Sequence, residues 1–128
     1  MNLASFLAVG CGAFAGAVVR WLLGLALNPV LPALPLGTLV ANLGGGFLMG
    51  IALGAFAHFE TVPLAWRLAA TTGFLGGLTT FSAFSGEAAT LFLRQQYGGF
   101  AAIITAHVAG SLLLTLAGIG LARVVLRP

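Results

Sequence analysis

Seven charged side chains are scattered through 128 residues: Arg20, Glu60, Arg67, Glu87, Arg94, Arg123 and Arg127. They leave long uncharged stretches at 1–19, 21–59, 68–86 and 95–122, and the chain has neither Lys nor Asp. A soluble domain uses about 25% charged residues to keep its surface in water. Here the share is 5%, beside 60% hydrophobic residues and a mean hydropathy of +1.13. Such a chain cannot clothe a water-facing surface, so the sequence reads as an integral membrane protein.

Length then sets the architecture. A bilayer core about 30 Å thick takes roughly 20 apolar residues per helix, so four spans with short connections use up the chain and leave no room for a soluble catalytic domain. The apolar runs cover about 3–27, 37–59, 67–93 and 100–125. Pro29, Pro32 and Pro35 end the first, since proline cannot continue a helix. Glu60-Thr61-Val62-Pro63 ends the second, and Trp66 with Arg67 forms an interfacial anchor pair. Arg94-Gln95-Gln96-Tyr97-Gly98-Gly99 makes a polar turn before the fourth. The expectation is an all-α membrane protein, one transmembrane domain over 1–128 with four helices running up-down-up-down. Segments so uniformly apolar do not alternate as barrel strands must.

The net charge of +3 comes from five scattered Arg. Without a basic cluster there is nothing to hold a phosphate backbone, so nucleic acid is not an expected partner. Cys11 stands alone, which excludes an intrachain disulfide and reads as a small apolar helix residue. No Ser-His-Asp set, HExxH motif, P-loop or carboxylate pair is present, so an enzyme is not expected.

Glycines recur at helical spacing in Gly12/Gly16 and Gly46/Gly50/Gly54, ridges that let helices approach closely in lipid. The third run differs. Gly76 and Gly77 are followed by Thr79, Thr80, Ser82 and Ser85 at the depth where Ala or Leu would make better helix. Irregular backbone at such depth needs burial in protein or a cavity to line. This run is therefore expected to be two half-helices joined near 76–80.

Intramembrane polar groups are costly and so are functional candidates. Asn42 could donate its amide to an anion or staple two helices. Phe81 and Phe84, at i and i+3, share a helix face, and the positive edges of their rings beside the hydroxyls of Ser82 and Ser85 could hold an anion weakly enough to release it. Arg20 either snorkels to the interface or sets a positive potential at a vestibule. Glu87 could carry a proton or partner a hydroxyl. Ser111 and Thr115 share a face of the fourth span. His58 and His107 are isolated in sequence and read as structural. The arginines divide three against two between the membrane faces, too even to fix one orientation, which favours insertion both ways and an antiparallel pair.

Three segments resemble one known family. Gly73-Phe74-Leu75-Gly76-Gly77-Leu78-Thr79-Thr80-Phe81-Ser82-Ala83-Phe84-Ser85 is similar to the GFxGGxTTFSTF signature of the CrcB/Fluc fluoride channels. Gly37-Thr38-Leu39-Val40-Ala41-Asn42-Leu43-Gly44-Gly45 resembles the GTLxxNxxG segment of that family, and the stretch from Gly12 to Arg20 resembles its GxxxGxxxR first helix. The motifs occur in the family's order and span nearly the whole chain. The resemblance implies a multi-pass protein of the cell inner membrane, an antiparallel dual-topology homodimer with two fluoride pores that exports fluoride passively and relieves its toxicity. It implies a fluoride pore of Asn42, Phe81, Phe84, Ser82, Ser85 and Ser111, with Arg20 at the vestibule. It further implies a central structural sodium ion held by backbone carbonyls of Gly76 and Thr79. The partners implied are fluoride, membrane lipid and a second copy of the chain. One departure is Ala83, where the family commonly has Thr, so a hydroxyl of the polar track is missing. The alternative is a proton-coupled small multidrug transporter of dual topology. That class relies on a carboxylate in its first span, where this chain has none. A non-transporting membrane scaffold would not need the Thr79–Ser85 hydroxyls facing inward.

Overall fold

The apolar runs become helices whose ends are set by identifiable side chains. In the computed structural model, which describes residues 1–127, α1 covers Leu3–Leu27 and is capped by Asn2, whose side chain accepts the Ser5 N–H at 2.8 Å. A 3-10 turn at Asn28–Val30 and the proline-rich loop lead to α2, Leu36–His58. Pro35 at the start of α2 cannot cap it with a side chain. Asn28 does so from a distance, its Oδ1 accepting the N–H groups of Gly37 at 2.8 Å and Thr38 at 3.3 Å. Just past the other end of α2, carbonyls of the following turn find Arg67. Its guanidinium donates to Phe59, Glu60 and Val62 and lies over the Phe56 ring, as a cation at a helix C-terminus should.

The third run starts as α3, Leu64–Leu68, just after Pro63, three residues before the expected start. It widens to π-helical geometry over Ala69–Leu75 and returns to one short turn, α4, at Gly76–Leu78. Thr79 and Thr80 are extended, with φ/ψ of −83°/153° and −150°/113°, and α5 resumes at Phe81–Leu93. Thr80 is its N-cap, the hydroxyl accepting the Ala83 N–H at 3.1 Å, the usual work of a Thr in extended geometry at that position. A tight turn leads to α6, Tyr97–Val125. Among the described residues, three stretches are long and apolar enough to cross a membrane: Leu3–Val30, Leu36–His58 and Tyr97–Val125. The protein is an all-helical membrane protein.

The segments around Thr79 and Thr80 pack on different neighbours. The π-helical stretch and α4 lie along α1, whereas α5 lies along α6, and α6 also runs the length of α2. Both long seams rest on glycine. A Cβ on Gly16 would strike the carbonyl of Phe74 and come within 2.7 Å of the Leu78 nitrogen. A Cβ on Gly50 would strike the Thr115 carbonyl and approach the Ile119 nitrogen at 2.9 Å. In lipid, where burial of apolar surface gives helices no reason to associate, such backbone proximity supplies the packing.

Candidate functional site

Where the backbone turns extended at Thr79 and Thr80, its polar groups lose their helical partners and must find others. Asn42, one turn beyond Thr38 on α2, supplies them. Its Oδ1 accepts the Thr80 N–H at 2.7 Å while its Nδ2 donates to the Thr80 carbonyl at 3.0 Å. The amide thus pairs with Thr80 as a neighbouring strand would. The second Nδ2 hydrogen meets Nδ1 of His107, on α6, at 3.0 Å. Because an amide nitrogen can only donate, His107 Nδ1 is the acceptor and Nε2 carries the ring proton. His107 is 3% exposed, and Nε2 has no partner among the described residues.

Aromatic rings continue the cluster. The His107 ring stacks on Phe84, centroids 4.6 Å apart and planes at 25°. Phe84 in turn meets Phe81 edge-on at 5.5 Å and 78°. The two phenylalanines share a face but not an environment: Phe84 is buried at 6% and Phe81 is 76% exposed.

A cavity of about 480 Å³ gathers these groups, with Asn42, Phe81, Phe84, His107, Ser111 and Thr79 among its walls. Of the sequence candidates, Gly76 also lines it. Thr115 bonds the Gly46 carbonyl at 2.9 Å and the Ser111 carbonyl at 2.8 Å, so its hydroxyl holds α6 to α2. Ser82 and Ser85 are exposed; Ser82 lies 3.3 Å from the Thr80 hydroxyl, and Ser85 lines a separate apolar groove with Phe92 and Phe100. Arg20 reaches the junction from α1, its Nε donating to the Gly77 carbonyl at 3.2 Å. Glu87 accepts the Thr38 hydroxyl at 2.6 Å through Oε1, while Oε2 is buried with no partner among the described residues.

His107, isolated among its sequence neighbours, is the site residue that local pattern alone misses. It precedes Ser111 by one turn and Thr115 by two, so the three occupy one face of α6, and that i, i+4, i+8 spacing is the signal that finds it.

For a cation, no cluster of three or more His, Cys, Asp or Glu exists among the described residues; carbonyl oxygens are the available ligands. The N–H of Thr80, which would close a helical bond on the Gly76 carbonyl, is taken by Asn42. The Ala83 N–H, which would serve the Thr79 carbonyl, is taken by the Thr80 hydroxyl. Both carbonyls are thereby released from α-helical pairing, and hard oxygen donors of this kind fit an alkali cation.

Residues 7–119 match the family described as CrcB-like protein, Camphor Resistance (CrcB). The chain is 54% identical over 119 residues to the fluoride-specific ion channel FluC of Nitrosospira multiformis, with 93% of each chain covered. It is 52% identical over 115 residues to the protein of the same name from Chromobacterium violaceum, covering 90% of this chain and 91% of that one. With the Tolumonas auensis protein, also so named, it shares 54% identity over 114 residues, 89% and 90% of the two chains. A match of this extent, to relatives of the same length, places the chain in the CrcB/FluC family.

Proposed function

We propose that this protein is a fluoride-selective channel of the cell inner membrane, formed by two antiparallel copies with two pores, through which fluoride leaves the cell passively. The carrying observation is the single cavity that brings Asn42, Phe81, Phe84 and Ser111 together where the third run leaves helical geometry. The names of the relatives point the same way.

Fluoride is small and tightly hydrated. Even a carboxylate-sized ion costs on the order of 20 kcal/mol by idealised Born solvation on entering low dielectric, so a pore must replace water by closely placed donors. Ring edges of Phe81 and Phe84 and the hydroxyl of Ser111 form a weakly polar set without a fixed cation, which suits rapid release; Ser82 and Ser85 lie outside this cavity. Asn42 has both amide hydrogens engaged, on Thr80 and His107. It supports the pathway through the junction it holds. Arg20 sets a positive potential on the approach.

Phe81, three-quarters exposed at the mouth of the cavity, is the side that a second copy would close. Two carbonyls from each chain, those of Gly76 and Thr79, would then surround a sodium ion on the two-fold axis, and that ion would tie the two junctions together.

The test is efflux from liposomes loaded with fluoride and carrying the purified protein, with a potassium ionophore as charge shunt. Rapid fluoride release with no matching chloride release is expected. No release, or equal release of both halides, would overturn the reading.

A further inference from the structure

The Asn42 amide is fixed on one side by Thr80 and on the other by an imidazole nitrogen that must accept. We propose that His107 is a positioning residue, whose bare Nδ1 holds the Asn42 amide against the Thr79–Thr80 junction and so keeps the proposed fluoride pathway assembled. The inference rests on the channel reading of the same site.

Donors and acceptors at the junction pair off one for one. Thr80 offers one N–H and one carbonyl, and the Asn42 amide satisfies both, leaving one Nδ2 hydrogen over. His107 Nδ1, at 3.0 Å, takes it. The ring is held for this task by stacking on Phe84 at 4.6 Å and by burial to 3% exposure. Protonation of Nδ1 turns the acceptor into a donor facing a donor. The amide must then rotate or withdraw, and either movement unpairs Thr80.

Few other charges bear on this ring. The elements packed against α6 are α2 and α5. Along α2 the sole titratable side chain is His58, at its far end. On α5 it is Glu87, one turn past Phe84 and bonded to Thr38. On α6 itself, Tyr97 stands roughly three turns before the ring and Arg123 roughly four turns after it.

Two measurements decide the matter. The chain has only two histidines, so ¹⁵N-histidine NMR of the protein in nanodiscs, assigned with a His58→Gln variant, reports the His107 tautomer directly. A bare Nδ1 and a protonated Nε2 are expected at neutral pH; a protonated Nδ1 would overturn the proposal whether or not fluoride moves. Fluoride efflux is then followed from neutral pH down to about pH 5, subtracting protein-free vesicles at each pH to remove passage of neutral HF. Wild-type efflux should fall over the pH range in which the NMR signal shows Nδ1 taking a proton. His107→Asn, whose amide oxygen reaches the place of Nδ1 but cannot titrate there, should conduct with a flat profile. His107→Phe keeps the stacking without the acceptor and should lose about tenfold at every pH, the scale of a buried donor left unpaired. Equal pH profiles for wild type and His107→Asn across the range in which the NMR signal shows Nδ1 taking a proton, or wild-type efflux from His107→Phe, would overturn the proposal. Should His107→Phe fail to fold, the other two comparisons still decide. If wild type itself passes no fluoride, the channel reading falls, and the tautomer alone tests the bond.

Discussion

The α2–α6 seam and the Thr79–Thr80 junction solve one problem in opposite ways. Along the seam, glycines bring backbones into contact while both helices stay intact; Gly50 lies against Thr115 and Gly118 against Phe47 and Ile51. At the junction the backbone leaves helical geometry, and side chains take up several of its polar groups: Asn42 pairs with Thr80, Arg20 bonds the Gly77 carbonyl, and the Thr80 hydroxyl caps Ala83. Contact of the first kind has one geometry and no alternative partner. Bonds of the second kind can be exchanged, for another side chain, for water or for an ion. A wall is best built by the first and a passage by the second, and the third run carries the second.

The contrast is broken most severely at the seam. In Gly50→Leu the new side chain would meet the Thr115 carbonyl and the Ile119 nitrogen, both backbone, so no rotamer change relieves it. We expect a cost of about 3 kcal/mol or more, the upper end for overpacking. The protein should lose its cooperative thermal transition in detergent and elute as aggregate on size exclusion. A variant that elutes and melts like the parent would show that the seam yields, and that the two regions differ less than their geometry implies.

Asn42→Asp tests the junction. The shape is kept, so the packing should survive, but an oxygen replaces the amide nitrogen opposite the Thr80 carbonyl and His107 Nδ1. Each lost partner costs roughly 1–3 kcal/mol. Fluoride efflux should be abolished, with helical content by circular dichroism and the elution volume preserved. Normal efflux would show that the Asn42–Thr80 exchange is dispensable to transport.

How much of this could be read from the chain differs between the same two regions. Helix locations followed from apolar runs and their punctuation: proline and glycine act locally, so Pro29, Pro32, Pro35 and Pro63 mark the ends. The sequence predicts an irregularity at 76–80, and the structure has extended residues at Thr79 and Thr80 together with π-helical widening upstream from Ala69. No residue type announces a π turn, since it differs from an α turn only in which carbonyl each N–H selects. Spacing put Phe81 and Phe84 on one face, but not the burial that separates them, because that depends on where α6 lies. Asn42 was legible as a costly polar group, yet whether it staples or donates depended on Thr80, 38 residues away. The Arg20–Gly77 bond spans 57 residues and has no local signature at all.

The smallest expected effect lies outside both regions, and it sets the scale against which they are judged. At the end of α5, the Gln96 N–H bonds the Leu91 carbonyl at 2.9 Å and the Gln95 N–H bonds the Phe92 carbonyl at 3.0 Å, a Schellman closure. Gln95 takes the left-handed conformation this requires, with φ of 60°, where glycine is the usual residue. A left-handed non-glycine residue costs roughly 1–2 kcal/mol, and the extra freedom glycine gives the unfolded chain returns part of that. Gln95→Gly should therefore stabilise by somewhat under about 1 kcal/mol, raising the melting temperature by a few degrees while fluoride efflux stays at the parent value. A lower melting temperature would mean that the Gln95 side chain makes a stabilising contribution outweighing its backbone strain. Altered efflux would mean that the α5–α6 turn is mechanically coupled to the junction, and the division between rigid seam and exchangeable junction would have to extend to the turn as well.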